Sequence, residues 1–234
     1  MVRAFVRAAA GGALITVLLV ARPTRTTPAS ADFTPLTASQ ATALLRRSTA
    51  QIMALGCDMD RVDGTAVAVA RGVLLTNQHV VAGSRLVDVV ADGQATLTGA
   101  QPLVATTGDV ATVAEPGPGL PAVALANGDP APGTLVRVAG YPSAPTGQRD
   151  PGFTVIQTSI LDYVRGAEVG EPWPVIRLAN PVRPGMSGGP VLDASGRLAG
   201  IVFGNELPTG EALAVPASQL RRLLGTNAFV PVAC

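Results

Sequence analysis

Hydrophobic and polar positions follow a helical spacing near the start of this chain, over residues 34–57. The apolar residues that share one face of this spacing are Leu44, Leu45, Ile52 and Met53. Thr37 and Gln40 have the spacing of a capping box, and Gly56 is suited to end a helix. The pattern predicts an N-terminal helical segment within residues 32–56.

Short Val-rich runs replace the helical spacing from residue 64 onward. The run GTAVAVARGVLLTNQHVV predicts two strands around a turn at Arg71–Gly72, and RLVDVV predicts a third. Later strand-like runs are TLVRVAGYP, FTVIQTSI, PVIRLA and GRLAGIVFG, after a Pro- and Gly-rich linker at 115–133. PASQLRRLLG predicts a last helix that ends at Gly225. The expected fold is all-β in two halves, 57–120 and 121–234, with a helix before and a helix after.

The first 31 residues have the pattern of an export signal. Arg3 and Arg7 precede the apolar residues 8–21, a core that is short for a membrane span of about 20 residues. The small residues that end at Ala31 predict cleavage before Asp32. An uncleaved membrane anchor is the alternative. Either way, the protein is expected to be secreted or to lie in the cell envelope.

Composition restricts the classes of function. The chain has 234 residues, is 47% hydrophobic and 14% charged, and has a formal net charge of +1. It can therefore bury a core, and it lacks the basic surface that binding to nucleic acid requires. Two cysteines and a single histidine cannot form a structural zinc site, and no metal or cofactor is expected. A monomer is expected.

Cys57 and Cys234 are the two cysteines of the chain. The oxidising compartment that the export signal implies favours a disulfide between them. The alternative is two buried free thiols.

The segment PVRPGMSGGPVLD, residues 181–193, places Ser187 among glycines and prolines. This composition is typical of a tight turn between strands. It also suits a nucleophile, because the backbone N–H groups of Gly185 and Ser187 can converge on a carbonyl oxygen that gains charge.

A serine hydroxyl needs a neighbouring base, and His79 is the only histidine in the chain. Asp109, in TTGDVATVA, is the favoured carboxylate to orient the imidazole, with Asp88 and Asp92 as weaker alternatives. The chain order His79, Asp109, Ser187 favours a catalytic triad.

The residues Gly185 to Gly189 also match G-x-S-x-G, the motif of the α/β-hydrolases. In that class the histidine follows the serine in the chain, whereas no histidine occurs after residue 79. Pro190 also interrupts the helix that should follow the serine. The α/β-hydrolase interpretation is therefore rejected.

Together, GTAVAVARGVLLTNQHVV, GDVATV, GYP and PGMSGGPVLD resemble the chymotrypsin-type (trypsin-like) serine peptidases in their compact bacterial form. The resemblance covers roughly residues 57–225. The flanking Cys57 and Cys234 and the ending GEALAVPASQL are most similar to actinobacterial acid-resistance-type membrane peptidases. The multiple membrane spans of those proteins are not seen in this sequence.

The resemblance implies two six-stranded antiparallel β-barrels with the site in the cleft between them. It implies His79 as the general base and then acid, Asp109 as its orienting partner, and Ser187 as the nucleophile that forms an acyl-enzyme. The N–H groups of Gly185 and Ser187 would form the oxyanion hole.

The resemblance also indicates where a peptide substrate would bind. Pro181 and Val182 would line the base of the primary pocket, and they carry no carboxylate. A small or apolar substrate residue is therefore expected there, rather than Arg or Lys. The strand that contains Val202, Phe203 and Gly204 would pair with the substrate backbone.

Two functions are compatible with these features. The first is a secreted serine endopeptidase that acts on proteins or peptides. The second is a catalytically silent module on the same fold that holds a peptide or an envelope component. The complete set of triad candidates favours the endopeptidase.

Overall fold

A computed structural model describes residues 34–91, 94–97, 99–114, 119–144, 151–207, 209–226 and 228–232. The predicted export signal, Asp92 and Cys234 lie outside the described residues. None of the helices in the described ranges is long and apolar enough to cross a membrane. The residues from Thr34 onward belong to one compact unit.

The first half of the described chain contains two helices and seven strands. In chain order they are α1 (Ala38–Ser48), β1 (Thr49–Gly56), β2 (Arg61–Ala70), β3 (Val73–Thr76), α2 (Gln78–Val81), β4 (Ser84–Ala91), β5 (Gln94–Leu97), β6 (Pro102–Ala105) and β7 (Ala111–Ala114).

The second half contains seven further strands, a 3-10 helix and a last α-helix. They are β8 (Leu135–Gly140), β9 (Thr154–Val164), the 3-10 helix (Gly166–Glu168), β10 (Val175–Leu178), β11 (Pro190–Leu192), β12 (Leu198–Asn205), β13 (Ala212–Pro216), α3 (Ala217–Leu224) and β14 (Phe229–Pro231).

The strands form two antiparallel sheets. The first has eight strands in the order β14-β6-β7-β3-β2-β1-β4-β5, and the second closes as the barrel β10-β13-β12-β11-β8-β9. The predicted chymotrypsin-like all-β fold is confirmed, with one difference in the first half. Its sheet has eight hydrogen-bonded strands instead of six and has the form of a half-barrel, and its outer strand β14 comes from the end of the chain. The division of the two halves at residue 120 stays a prediction.

The N-terminal helix is shorter than predicted. The capping box of Thr37 and Gln40 is present, but α1 ends at Ser48 and the next residues form β1. Ile52 and Met53 therefore belong to a strand and not to a helix face. The helical assignment was wrong here because β1 pairs with both β2 and β4, and this tertiary pairing overrides the local spacing. The predicted last helix is confirmed as α3, with Gly225 at its end.

The predicted linker connects the two halves, and its described part is hydrogen-bonded to both. Val123 N–H donates to Ala68 O of β2 at 2.8 Å, and Ala126 N–H donates to Leu198 O of β12 at 2.9 Å. The side chains of Val123 and Ala126 are buried. The linker therefore packs against both sheets.

Candidate active site

His79 lies on α2, a single helical turn directly after β3. The neighbouring Val80 and Val81 are buried in the core of the first sheet, whereas 46% of the His79 side chain is exposed. Asn77, two residues before His79, is fully buried, and its Nδ2 donates to Asp109 O at 2.8 Å. The helix thus exposes the His79 side chain while Val80 and Val81 anchor it in the core.

Asp109 contacts His79 through both carboxylate oxygens. Oδ1 accepts from the backbone N–H of His79 at 2.8 Å, and Oδ2 lies 2.6 Å from the imidazole Nδ1. This carboxylate fixes Nδ1 as the protonated nitrogen and leaves Nε2 as the acceptor. The alternative carboxylate Asp88 lies within β4 and pairs with Met53, away from this contact.

The turn that carries Ser187 is fixed through its carbonyl groups. Pro184 O accepts from Ser143 N–H at 2.9 Å, and Met186 O accepts from Gly189 N–H at 2.9 Å. Thr65 of β2 supplies the remaining contacts: its Oγ1 donates to Gly185 O at 2.8 Å, and its N–H donates to Ser187 O at 2.8 Å. The conformation of the turn is therefore set by the rest of the fold.

Two N–H groups of the same turn, those of Gly185 and Ser187, have no hydrogen-bond acceptor among the described residues. In a trans peptide the N–H points away from the carbonyl. Pro184 O and Met186 O are each held by a donor, so the N–H groups of Gly185 and Ser187 that follow them point away from those two hydrogen bonds and stay available to an acceptor. This arrangement can stabilise an oxyanion.

Gly188 follows the serine and has a φ of +84°. A Cβ at this position would overlap the carbonyl oxygen of Thr65, so that β2 can approach the turn this closely only beside a glycine.

The hydroxyl of Ser187 donates to Phe203 O of β12 at 3.4 Å, which is a long contact. The structure thus places His79 and Asp109 in direct contact and places Ser187 on the neighbouring turn, bonded to β12 instead of His79. Catalytic hydrogen bonds are often long or displaced before substrate binds.

The residues predicted to bind substrate lie on two adjacent segments. Pro181 is exposed and Val182 is buried, on the segment before the serine turn. On β12, Val202 points into the barrel core, while Phe203 and Gly204 are half-buried. Asn205 joins the two segments, because its side chain accepts from Val182 N–H at 2.9 Å and donates to Val182 O at 2.8 Å. The sequence interpretation did not assign Asn205.

A second carboxylate, Glu171, lies directly behind Asp109 and was also missed. Its oxygens accept from Asp109 N–H at 3.1 and 3.4 Å, and only 5% of the residue is exposed. Burial raises the pKa of Glu171 to about 7, and the hydrogen bond from Asp109 opposes this rise only in part. The segment GEPWP has no family motif that could have identified it.

Trp173, two residues further on, packs against the loop that carries Asp109. Gly108 has a φ of +76°, and a Cβ on it would overlap the Trp173 ring. The segment of Glu171 and Trp173 therefore supports both Gly108 and Asp109 from behind.

No three His, Cys, Asp or Glu side chains within the described ranges are grouped as metal ligands would be. Cys57 lies at the end of β1, and its partner in the predicted disulfide, Cys234, is outside those ranges. The bridge stays a prediction.

A family profile described as "Trypsin-like peptidase domain" matches residues 64–201. The chain belongs to this family.

Named relatives of this trypsin-like peptidase are serine proteases. Serine protease Rv3671c of Mycobacterium tuberculosis is 32% identical over 188 residues, which are 74% of this chain and 45% of the relative. The chain thus spans less than half the length of the curated relatives it matches first. Together with the fold, these matches support membership of the trypsin-like peptidase family.

Solved structures agree in fold. The crystal structure of the Rv3671c protease from M. tuberculosis in its active form has a TM-score of 0.70 and 27% identity, and the match covers 86% of this chain and 91% of that one. The HtrA-type protease AlgW with a tripeptide has a TM-score of 0.69 and 26% identity, covering 81% and 63%.

The buried carboxyl of Glu171 predicts a pH-dependent effect on stability. Between about pH 4.5 and 7, the folded chain retains a proton that the unfolded chain has released, so the free energy of unfolding falls as pH rises through this window and stays lower above it. Glu171→Gln is therefore expected to raise the free energy of unfolding by about 1–3 kcal/mol at pH 8 and to have little effect near pH 4.5. Urea denaturation at both pH values measures this. Glu168→Gln, on the exposed side of the same loop, is the control, and an effect of Glu171→Gln that does not change with pH would contradict the prediction.

Proposed function

We propose that the protein is a secreted serine endopeptidase that cleaves peptide bonds through a Ser187–His79–Asp109 triad and an acyl-enzyme. The observation that carries the proposal is the pair of unengaged N–H groups, of Gly185 and Ser187, on a turn whose carbonyl groups from Pro184 to Ser187 each accept a hydrogen bond. A turn that served only to connect two strands would have no reason to leave two neighbouring donors in part-buried surroundings without an acceptor.

The first chemical step is acylation. His79 Nε2 removes the proton from Ser187 Oγ as this oxygen bonds to the substrate carbonyl carbon. Asp109 keeps the imidazole oriented through Nδ1 and stabilises the imidazolium that forms. The carbonyl oxygen gains negative charge and is received by the N–H groups of Gly185 and Ser187.

The remaining steps return the enzyme to its starting state. The bond from carbon to the leaving amine breaks, and His79 transfers its proton to that amine. A water molecule then loses a proton to His79 and attacks the acyl carbon, and the bond to Ser187 Oγ breaks as this oxygen regains a proton.

Substrate binding prepares the nucleophile in this proposal. The Ser187 hydroxyl donates to Phe203 O, on the strand expected to pair with the substrate backbone. A substrate N–H that takes this carbonyl as its acceptor would release the hydroxyl to turn toward His79. Pairing on β12 and activation of Ser187 would then occur together.

The primary pocket is proposed to lie between the segment of Pro181 and Val182 and the strand segment of Phe203 and Gly204. Asn205 bonds both backbone groups of Val182 and so fixes the distance between these two walls. None of the four wall residues has an ionisable side chain. A small or apolar substrate residue fits such a pocket without burying an unpaired charge.

Replacement of the nucleophile tests the catalytic proposal. Ser187→Ala is expected to abolish labelling by a fluorophosphonate probe and to lower peptide hydrolysis by roughly 10³-fold or more, because the acyl-enzyme cannot form. Gel fluorescence and a peptide assay measure the two effects. Ser195→Ala, in a turn on the same barrel, is the control and should keep both. Equal labelling of wild type and Ser187→Ala, or no labelling of the folded wild type, would instead favour the silent binding module.

A peptide panel tests the proposed pocket. Substrates with Ala, Val or Leu before the cleaved bond are expected to have a kcat/KM about 10-fold or more above those with Arg or Lys, since none of the four wall residues offers a carboxylate to a buried cation. Mass spectrometry of cleavage products from a mixed peptide library measures the preference. A strong preference for basic residues would contradict the pocket assignment.

Export and a Cys57–Cys234 disulfide complete the proposal, and both rest on the sequence. Such a bridge would close most of the chain into one loop and stabilise the fold by about 2–4 kcal/mol. A reducing agent is therefore expected to lower Tm in a thermal melt of the purified protein, and Cys57→Ser should abolish this dependence. Equal melting of the oxidised and reduced protein would contradict the bridge.

A further inference from the structure

The carboxyl of Glu171 is not used by the proposed reaction. Its carboxylate oxygens accept a hydrogen bond from the backbone N–H of Asp109 at 3.1 and 3.4 Å. The carboxyl of a residue that is only 5% exposed needs a structural or functional reason, because its desolvation is costly.

We propose that Glu171 is a positioning residue, which fixes the main chain of Asp109 so that both carboxylate oxygens of Asp109 reach His79. This inference rests on the proposed function, because it assigns a role in the activity of the same triad.

The contacts form a continuous support. Asp109 is held from three directions: its N–H by Glu171, its carbonyl by Asn77 Nδ2, and its carboxylate by His79. Asn77 and His79 both belong to the first half of the chain, whereas Glu171 lies between β9 and β10 of the second. Without Glu171, the Asp109 N–H would be left without an acceptor inside the structure.

The support is itself fixed. The N–H of Glu171 donates to Gly166 O at 2.7 Å, which anchors the segment to the 3-10 helix. Trp173 packs against Gly108 from the same segment. The backbone that carries Glu171 is therefore fixed by neighbouring contacts, and this restricts where its carboxyl can lie.

The charge of Glu171 adds a second effect. The charged groups that act on it across the packed loops are Asp109, which disfavours its ionisation, and His79, which favours it. Its pKa of about 7 means that the group is neutral in acid and negative in mild base. The ionised form is the stronger acceptor for Asp109 N–H and attracts the imidazolium of the transition state. Activity is therefore expected to increase as Glu171 ionises.

Two substitutions separate the hydrogen bond from the charge. Glu171→Leu removes the acceptor, and kcat is expected to fall about 10-fold or more at every pH with KM changed less than about 2-fold, since a misplaced Asp109 affects the chemical step. Glu171→Gln keeps an acceptor but cannot ionise. Its kcat is expected to match wild type at pH 6 within about 2-fold and to be about 3-fold lower or more at pH 8.5.

Glu168→Gln is the matched control, because Glu168 belongs to the same loop, is 62% exposed and pairs only with Arg165 at 3.5 Å. Because Glu168 lines a cavity with Phe203 and Gly204, the control is the ratio of its activity to that of wild type, which should be the same at both pH values. If the ratio of wild-type to Glu171→Gln activity does not change with pH, the role of the charge is overturned. This comparison does not depend on whether Glu171→Leu folds. A Glu171→Leu protein that folds and keeps the wild-type kcat would overturn the positioning role.

The single histidine provides a readout that does not require catalysis. In a Ser187→Ala background, the Nδ1 proton of His79 in its bond to Asp109 is observed by proton NMR. Glu171→Leu should remove or shift this resonance, while Glu168→Gln should leave it unchanged. A wild type without hydrolysis or labelling would refute the proposed function, whereas an unchanged Nδ1 resonance in Glu171→Leu would refute the positioning of Asp109 by itself.

Discussion

The candidate site depends on one buried residue, Thr65, that joins the two β halves. Thr65 lies on β2 of the first sheet and is fully buried, yet it makes four hydrogen bonds to other segments. Its N–H and Oγ1 donate to Ser187 O and Gly185 O, while its Oγ1 also accepts from Tyr141 N–H at the end of β8. Its carbonyl accepts from Thr76 Oγ1 of β3 at 2.7 Å. This residue therefore ties the serine turn to the same sheet that carries His79.

This attachment explains how a glycine-rich turn can be rigid. Glycine increases the conformational freedom of a chain, which is unfavourable for a site that must hold two N–H groups in place before substrate binds. Here each carbonyl from Pro184 to Ser187 has a donor of its own, so the turn has few conformations left. The glycines then serve close approach instead of flexibility, as Gly188 does beside Thr65.

The sequence predicted the parts of the site that depend on local order along the chain. His79 follows an apolar strand, Ser187 lies in a Gly- and Pro-rich turn, and Asp109 precedes an alternating strand, so each has a local pattern. The helical segment predicted within residues 32–56 contains the helix over residues 38–48, and the predicted strand-like runs correspond to β2, β3, β4, β8, β9, β10 and β12. β1 was not predicted, because its identity as a strand comes from pairing on both edges with β2 and β4, and the spacing of Ile52 and Met53 fits a helix equally well.

The roles of Glu171 and Asn205 also depend on contacts that are distant in sequence, and the sequence therefore did not predict them. Each connects loops that are far apart in the chain: Glu171 is 62 residues from Asp109, and Asn205 is 23 residues from Val182. The sequence does not distinguish a buried glutamate from an exposed one. The burial of Glu171 depends on its packing near Trp173 and Gly108, which only the structure shows.

The two missed residues have a common physical role, which links the fold to the chemistry. Catalysis by a triad needs no strong forces on the substrate, but it needs donors and acceptors that do not reorganise during the reaction. The barrel strands cannot supply this by themselves, because Asp109 lies on a loop, Ser187 on a turn, and His79 on a single helical turn. Side chains that bond the backbone of these irregular segments, such as Thr65, Asn77, Glu171 and Asn205, therefore extend the rigidity of the sheets to the reacting groups.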